Sequence, residues 1–197
     1  MSKPVLQIIV GSTRPGRVGL PVARWFEGVA VEHAAFDVEL VDLAEVALPM
    51  FDEAVHPILR QYEQDHAIEW AETIRRGDAF VFVHPEYNHS FNAALKNAID
   101  YLHSEWSYKP VGFVSYGGVS AGTRAVQALK PVVAALRMTP AVEAVAIPFV
   151  TQFIDEDGRF VPNELLTQAA AGMLAELVRL DAVLHPLRTP ELARLAH

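Results

Sequence analysis

His84-Pro85-Glu86-Tyr87-Asn88-His89-Ser90 is the stretch from which the chain is best read. Ahead of it stands Ala79-Phe80-Val81-Phe82-Val83, apolar, β-branched and aromatic, the composition of a buried parallel strand. Behind it, Phe91-Asn92-Ala93-Ala94-Leu95-Lys96-Asn97-Ala98-Ile99-Asp100-Tyr101-Leu102 repeats apolar residues at helical spacing. The turn Pro85-Glu86-Tyr87-Asn88 therefore lies where a strand ends and a helix begins. In an open α/β sheet that carboxyl edge is where ligands bind. A proline, an aromatic face and an amide suit a flat heteroaromatic ring. An ordinary strand-to-helix loop would occupy the same position, so this stretch alone leaves two readings open.

Two further stretches bear on the choice. Val5-Leu6-Gln7-Ile8-Ile9-Val10 runs into Gly11-Ser12-Thr13-Arg14-Pro15-Gly16-Arg17, and Val111-Gly112-Phe113-Val114 runs into Ser115-Tyr116-Gly117-Gly118. Each is a strand followed by a polar or glycine-rich turn that opens into a helical pattern. Between and beyond them the alternation continues. A helical face formed by Val18, Val22, Trp25, Phe26 and Val29 precedes a strand at 36–43. Residues 44–57 are irregular, and 58–76 read as a helix. Residues 121–137 read as a helix pausing near Pro131, 139–147 as strand five, and 148–161 as a loop with a turn at Asp155-Glu156-Asp157-Gly158. A long helix covers 163–184, and 185–197, with Pro186 and Pro190, reads as a tail. Strand and helix alternating five times predict one α/β domain over 1–184, a doubly wound parallel sheet with helices on both faces. Five strands suit the flavodoxin-like order 2-1-3-4-5, whose switch point sets the 11–17 and 85–88 turns side by side with 115–118 across from them.

Composition narrows the function. The chain has 197 residues, half of them apolar, and carries 16 Lys and Arg against 24 Asp and Glu, a net charge of -8. Such a surface is wrong for nucleic acid, which needs clustered cations. No apolar run approaches the length of a membrane span, and Met1-Ser2-Lys3-Pro4 leads straight into a strand, so the expected location is cytoplasmic. The absence of cysteine excludes disulfides, thiolate metal sites, iron–sulfur clusters and cysteine nucleophiles. The histidines lack ligand spacing, and Asp155-Glu156-Asp157-Gly158 holds only a fragment of a calcium loop; no metal site is expected.

The three turns, in this order, resemble those of the NADPH-dependent FMN reductase family, the flavodoxin-like quinone, azo and flavin reductases. The similarity runs from about Val5 to Leu184. It implies bound FMN, NADPH or NADH as co-substrate, and a small-molecule electron acceptor such as a quinone, an azo compound, a metal oxyanion or free flavin. It implies a phosphate site at Ser12, Thr13, Arg14 and the helix start at Val18. The residues suit that role: the strand-to-helix junction offers free N–H groups, two hydroxyls and fork-shaped cations to an anion. Neither a Walker A loop nor Gly-x-Gly-x-x-Gly is present. Relatives often carry Ser at position 17, so Arg17 is left with two places, the FMN phosphate or the 2′-phosphate of NADPH. FMN is expected rather than FAD, because the loop offers no obvious room for an adenylate.

The resemblance further implies that Pro85, Glu86, Tyr87 and Asn88 hold the flavin ring and that Ser115, Tyr116, Gly117 and Gly118 approach its pyrimidine end. Glu86 is read as structural, since hydride transfer to a flavin needs no base; no catalytic side chain is expected. His89 is expected to cap the helix that follows, with a place on the substrate side as the alternative. Asn92, where relatives often have Pro, is expected to alter the helix start little, and Ala121-Gly122 in place of Gly-Gly to be a mild change. A homodimer is expected, with a tetramer as the alternative, through apolar surface at Phe91, Ala94, Tyr101, Tyr62 and Trp70; Trp106 is placed either at that contact or in the core. Two other functions compete: a flavodoxin-like electron carrier, against which Arg14 and Arg17 weigh, and a non-catalytic flavin-binding module.

Overall fold

A computed structural model describes residues 3–188. Its elements are Val5–Val10 (β1), Gly19–His33 (α1), Asp37–Asp42 (β2), a single turn Leu43–Val46 (α2), Asp65–Arg76 (α3), Ala79–Pro85 (β3), Ala93–Asp100 (α4), Pro110–Tyr116 (β4), Thr123–Ala135 (α5), Thr139–Pro140 (β5), Val145–Ile147 (β6) and Glu164–Leu184 (α6). All strand pairs are parallel, in the order β2-β1-β3-β4-β5, with β6 also on β4. This is the flavodoxin-like arrangement that the alternation predicts. The side-chain period of β3 divides the core. Ala79, Val81 and Val83 face α1 and α6; Phe80 and Phe82 face α3, α4 and α5. Among the described residues no helix is long and apolar enough to cross a membrane.

Three elements differ from expectation. Strand five is two pieces in one sheet position: β5 pairs with the start of β4 and β6 with its end. Ala141 N–H still donates to Val111 C=O at 2.9 Å, but residues 142–144 leave the ladder, and Val142 stands in solvent. The helix expected over 58–76 begins only at Asp65. Arg60 is left-handed, and the buried carboxylate of Glu53 accepts the amides of Glu63 and Gln64 at 3.0 Å, closing α3 from outside its own sequence. The tail read from its prolines is described only to Arg188; 189–197 lie outside the described residues. Residues 185–188 form a 3-10 turn, and Arg188 bonds Asp78, Asp181 and the Tyr108 carbonyl. Asp78, Asp181 and His185 lie close enough to suggest a cation site, but the Arg188 guanidinium already supplies the positive charge between the two carboxylates.

Lys109 is buried and donates to the carbonyls of Ile74 and Arg75 at 2.9 and 3.3 Å, closing the C-terminal end of α3. Burial, with the charge of Arg188 second, brings its pKa down to about 7. Between that value and the ordinary lysine range the unfolded chain binds more protons than the folded one. Stability from this group therefore rises with pH across the window and is lost as pH falls to about 7. Denaturant titrations at several pH values should show this rise in the parent chain and a flatter profile in Lys109→Met. Parallel profiles would contradict the assignment.

Candidate functional site

At the carboxyl edge the ladder continues one residue past each strand before the loops part. Gly11 N–H donates to Val83 C=O (2.8 Å), Glu86 N–H to Tyr116 C=O (3.1 Å) and Gly117 N–H to Ile147 C=O (3.3 Å). The three turns therefore leave one sheet edge together.

In the first turn Ser12 is buried, with its hydroxyl 3.4 Å from that of Tyr87. Thr13 and Arg14 are exposed, and the Arg14 side chain makes no hydrogen bond or ion pair among the described residues. Gly16 supplies the left-handed step that turns the chain into α1. Val18 stands at the N-cap, and no side chain caps the helix. A free guanidinium, two hydroxyls and an uncapped helix start are a donor set that could hold an anion. Arg17 already has a carboxylate partner. Its guanidinium pairs with Asp42, at the end of β2, whose other oxygen accepts Ala44 N–H at 3.0 Å. This is a partner that the sequence did not disclose.

The second turn is a two-residue hairpin. Tyr87 and Ser90 exchange both backbone bonds, at 2.8 and 2.9 Å, and Asn88 and His89 between them have φ of 49° and 66°. Two positive φ values are what a type I′ turn requires, and Asn tolerates them better than most residues. Tyr87 is 40% exposed. His89 does not cap α4; that position belongs to Asn92. His89 Nε2 instead lies 2.9 Å from Arg124 Nη1. Arginine can only donate, so Nε2 is the acceptor and the ring proton sits on Nδ1. Asn92 stands at the start of α4, and it does more there than the sequence suggests. Its amide nitrogen donates to the Gly11 carbonyl at 2.6 Å, inside the protein, and so ties the first turn to the second. Proline could not make that bond.

Glu86 is held from the third turn. Its carboxylate accepts from the Ser120 hydroxyl (2.9 Å), the Arg124 amide (3.1 Å) and Arg124 Nε (2.6 Å), and only 6% of the side chain is exposed. Burial works against ionisation, but the bonds from Arg124 and Ser120 outweigh it and hold the carboxyl below the usual range. The group is an ionised cap for α5, as befits a structural residue. His84, at the end of β3, is fully buried, and burial pulls its imidazole down to about 4, so it is neutral. Its Nδ1–H donates to the Pro85 carbonyl at 3.2 Å.

The third turn offers backbone rather than side chains. The Ser115 hydroxyl donates to Ala121 C=O (2.9 Å) and closes the loop. Tyr116 is buried against α1, its hydroxyl 2.5 Å from where a Cβ on Gly19 would stand. Burial, then the neighbouring Tyr87, raises its phenol pKa. The carbonyls of Gly117 and Gly118 accept the amides of Val150 and Phe149 at 3.2 and 3.1 Å. A Cβ on Gly118 would meet nothing within 4 Å, so the face above it is open. Ala121 adopts φ 54°, the left-handed conformation that glycine takes readily and alanine does not, so the change from glycine is felt in the backbone. Sequence reasoning missed Asp42, Asn92, Ser120 and Arg124; Ser120 and Arg124 could have been sought at the start of α5, which the third turn feeds.

Three comparisons extend these observations. The model of the NADPH-dependent FMN reductase family matches residues 5–152. An NAD(P)H-dependent FMN reductase of Schizosaccharomyces pombe is 40% identical over 149 residues, 74% of each chain. One of Nectria sp is 30% identical over 197 residues, 94% of this chain and 98% of that one. Among solved structures, a flavoenzyme NAD(P)H:(acceptor) oxidoreductase from Paracoccus denitrificans superposes with a TM-score of 0.73 at 19% identity, over 92% of this chain and 98% of that one.

Proposed function

Since the chain belongs to the NADPH-dependent FMN reductase family, and is thus an oxidoreductase that uses FMN and NAD(P)H, we propose that its three turns hold FMN and that its acceptor is a quinone, an azo compound, a metal oxyanion or free flavin. The observation that carries the site assignment is the unpaired Arg14 beside two hydroxyls and the uncapped start of α1. That donor set fits one phosphate. When bound, FMN would supply the redox chemistry between the nicotinamide and the acceptor. The residues around it bind and orient. Ser12, Thr13, Arg14 and the N–H groups near Val18 take the phosphate. Pro85, Tyr87 and Asn88 border the ring, and Gly118 leaves room for its flat face. Arg17, paired with Asp42, fixes the loop. Glu86 and Arg124 fix the second turn to the third.

A yellow purified protein that releases FMN, and steady NADPH oxidation on addition of a quinone, are the expected results. FAD as the sole tight ligand would overturn the site assignment; a flavoprotein without steady turnover would favour an electron carrier. Glu86→Gln keeps the shape but weakens the charge-assisted bonds. It should retain turnover within an order of magnitude while losing about 1–2 kcal/mol of stability. A loss of several orders of magnitude with FMN still bound would reveal an acid–base role.

The assembly we propose is a homodimer, and two of the residues that the sequence suggests for its contact, Tyr101 and Trp70, are not available to it, while Tyr62, Phe91 and Ala94 stay partly exposed. Tyr101, Trp70 and Trp106 are all buried within one chain, with the two indoles donating to the Ala98 and Ile99 carbonyls. Tyr101 is covered by residues 49–52 and bonds Asp52. The exposed apolar residues nearby are Met50, Phe51, Ile58 and Leu59. Light scattering of the purified protein tests the assembly.

A further inference from the structure

A second concavity, of about 470 Å³, lies on the flank of α1. It shares no residue with the three turns. One wall is the first two turns of α1; the other is the hairpin at 154–160, closed by pairing of Ile154 with Phe160. The hairpin is tightly wound. Asp155 accepts the amides of Asp157 and Arg159 at 3.0 and 2.8 Å, and Gly158 takes the left-handed step. The acidic turn thus spends its first carboxylate on its own backbone.

The floor is apolar: Leu20, Pro21, Trp25 and Phe160. The two rings stand 5.0 Å apart, tilted by 45°, and Phe153 backs Phe160 at 5.7 Å. The only charged groups in the lining are Arg24 and Arg159. Each has one acidic neighbour, Glu27 at 3.1 Å and Asp157 at 3.5 Å, in pairs exposed to water. Such pairs hold their members weakly and release them readily to a better partner. Two guanidiniums share this lining with the aromatic residues, on a chain of net charge -8, and so favour a flat anion there. Guanidinium stacks on π faces and takes oxyanions through paired N–H groups. The volume falls within the range of small-molecule sites.

We propose that this pocket binds a planar aromatic acid, with the ring against Trp25 and Phe160 and the carboxylate or sulfonate between Arg24 and Arg159. The site is separate from the flavin cradle, though α1 serves both: its start faces the phosphate loop and its first two turns form the pocket wall.

The test is calorimetric titration of the protein, with FMN present in excess, using 2-naphthoate and the neutral 2-naphthalenemethanol. The acid should bind with one site, the alcohol about tenfold or more weakly. Arg24→Gln with Arg159→Gln, both at the surface, should weaken the acid by about tenfold and leave the alcohol unchanged. The flavin absorbance spectrum should not shift. Absence of naphthoate binding, equal binding of acid and alcohol, or unchanged affinity in the double variant would overturn the proposal. So would a shifted flavin spectrum, which would place the ligand on the flavin instead.

Discussion

FMN should bind Arg14→Ala about ten- to a hundredfold more weakly than the parent chain, as read from quenching of FMN fluorescence. Of the two arginines in the first turn, Arg17 already has a carboxylate, that of Asp42, and Arg14 has no hydrogen bond or ion pair among the described residues. A hydrogen bond to a charged group is worth about 1.5–3 kcal/mol, and the phosphate of FMN is where Arg14 would make one. Arg17→Ala should behave differently. It strips a buried Asp42 of its counter-ion, so its first effect falls on stability, with FMN affinity changing less. Unchanged affinity in Arg14→Ala would remove that residue from the phosphate site.

Gly122→Ala should cost about 2–5 kcal/mol of folding stability in urea denaturation, from two effects that add. Gly122 has φ 80°, and the left-handed conformation costs an L-residue about 1–2 kcal/mol. A Cβ there would also stand 2.8 Å from Ser115 Cβ and from the Tyr116 amide nitrogen, and crowding of a packed site adds about 1–3 kcal/mol. The Tyr116 backbone cannot move aside, because its carbonyl accepts Glu86 N–H. Gly118→Ala is the control. Nothing lies within 4 Å of a Cβ at that position, so stability should stay near the parent value. A Gly122→Ala variant as stable as Gly118→Ala would contradict this account.

What was legible in the sequence was what repeats or sits next to itself. The alternation of Val81 and Val83 with Phe80 and Phe82 declares a strand buried on both faces, and strand–helix alternation then gives the sheet order and the edge where the turns meet. Partners distant in sequence were not legible. Nothing in Arg17 points to Asp42, or in Glu86 to Arg124, because each pairing depends on how two loops leave the sheet. The same limit affected the surface. Helical spacing shows that Tyr101 lies on an apolar face, but not that residues 49–52 cover it. Local pattern also misled at 58–64, where apolar spacing resembles a helix that Arg60 and the carboxylate of Glu53 forbid.

The cross-ties between the turns have a kinetic consequence. Loops ordinarily belong to the least stable part of a fold and open by themselves. Here Asn92 bonds the Gly11 carbonyl, Glu86 grips Ser120 and Arg124, and the carbonyls of Gly117 and Gly118 are stitched to residues 149 and 150. No one turn can open without breaking a bond to a neighbour. On the proposed assignment the cradle would stand before its cofactor arrives, and capture of FMN should be limited by encounter rather than by loop ordering. A flavin that escaped would leave behind a receptor ready for the next collision, so the fraction of enzyme loaded should follow the free FMN concentration without a lag.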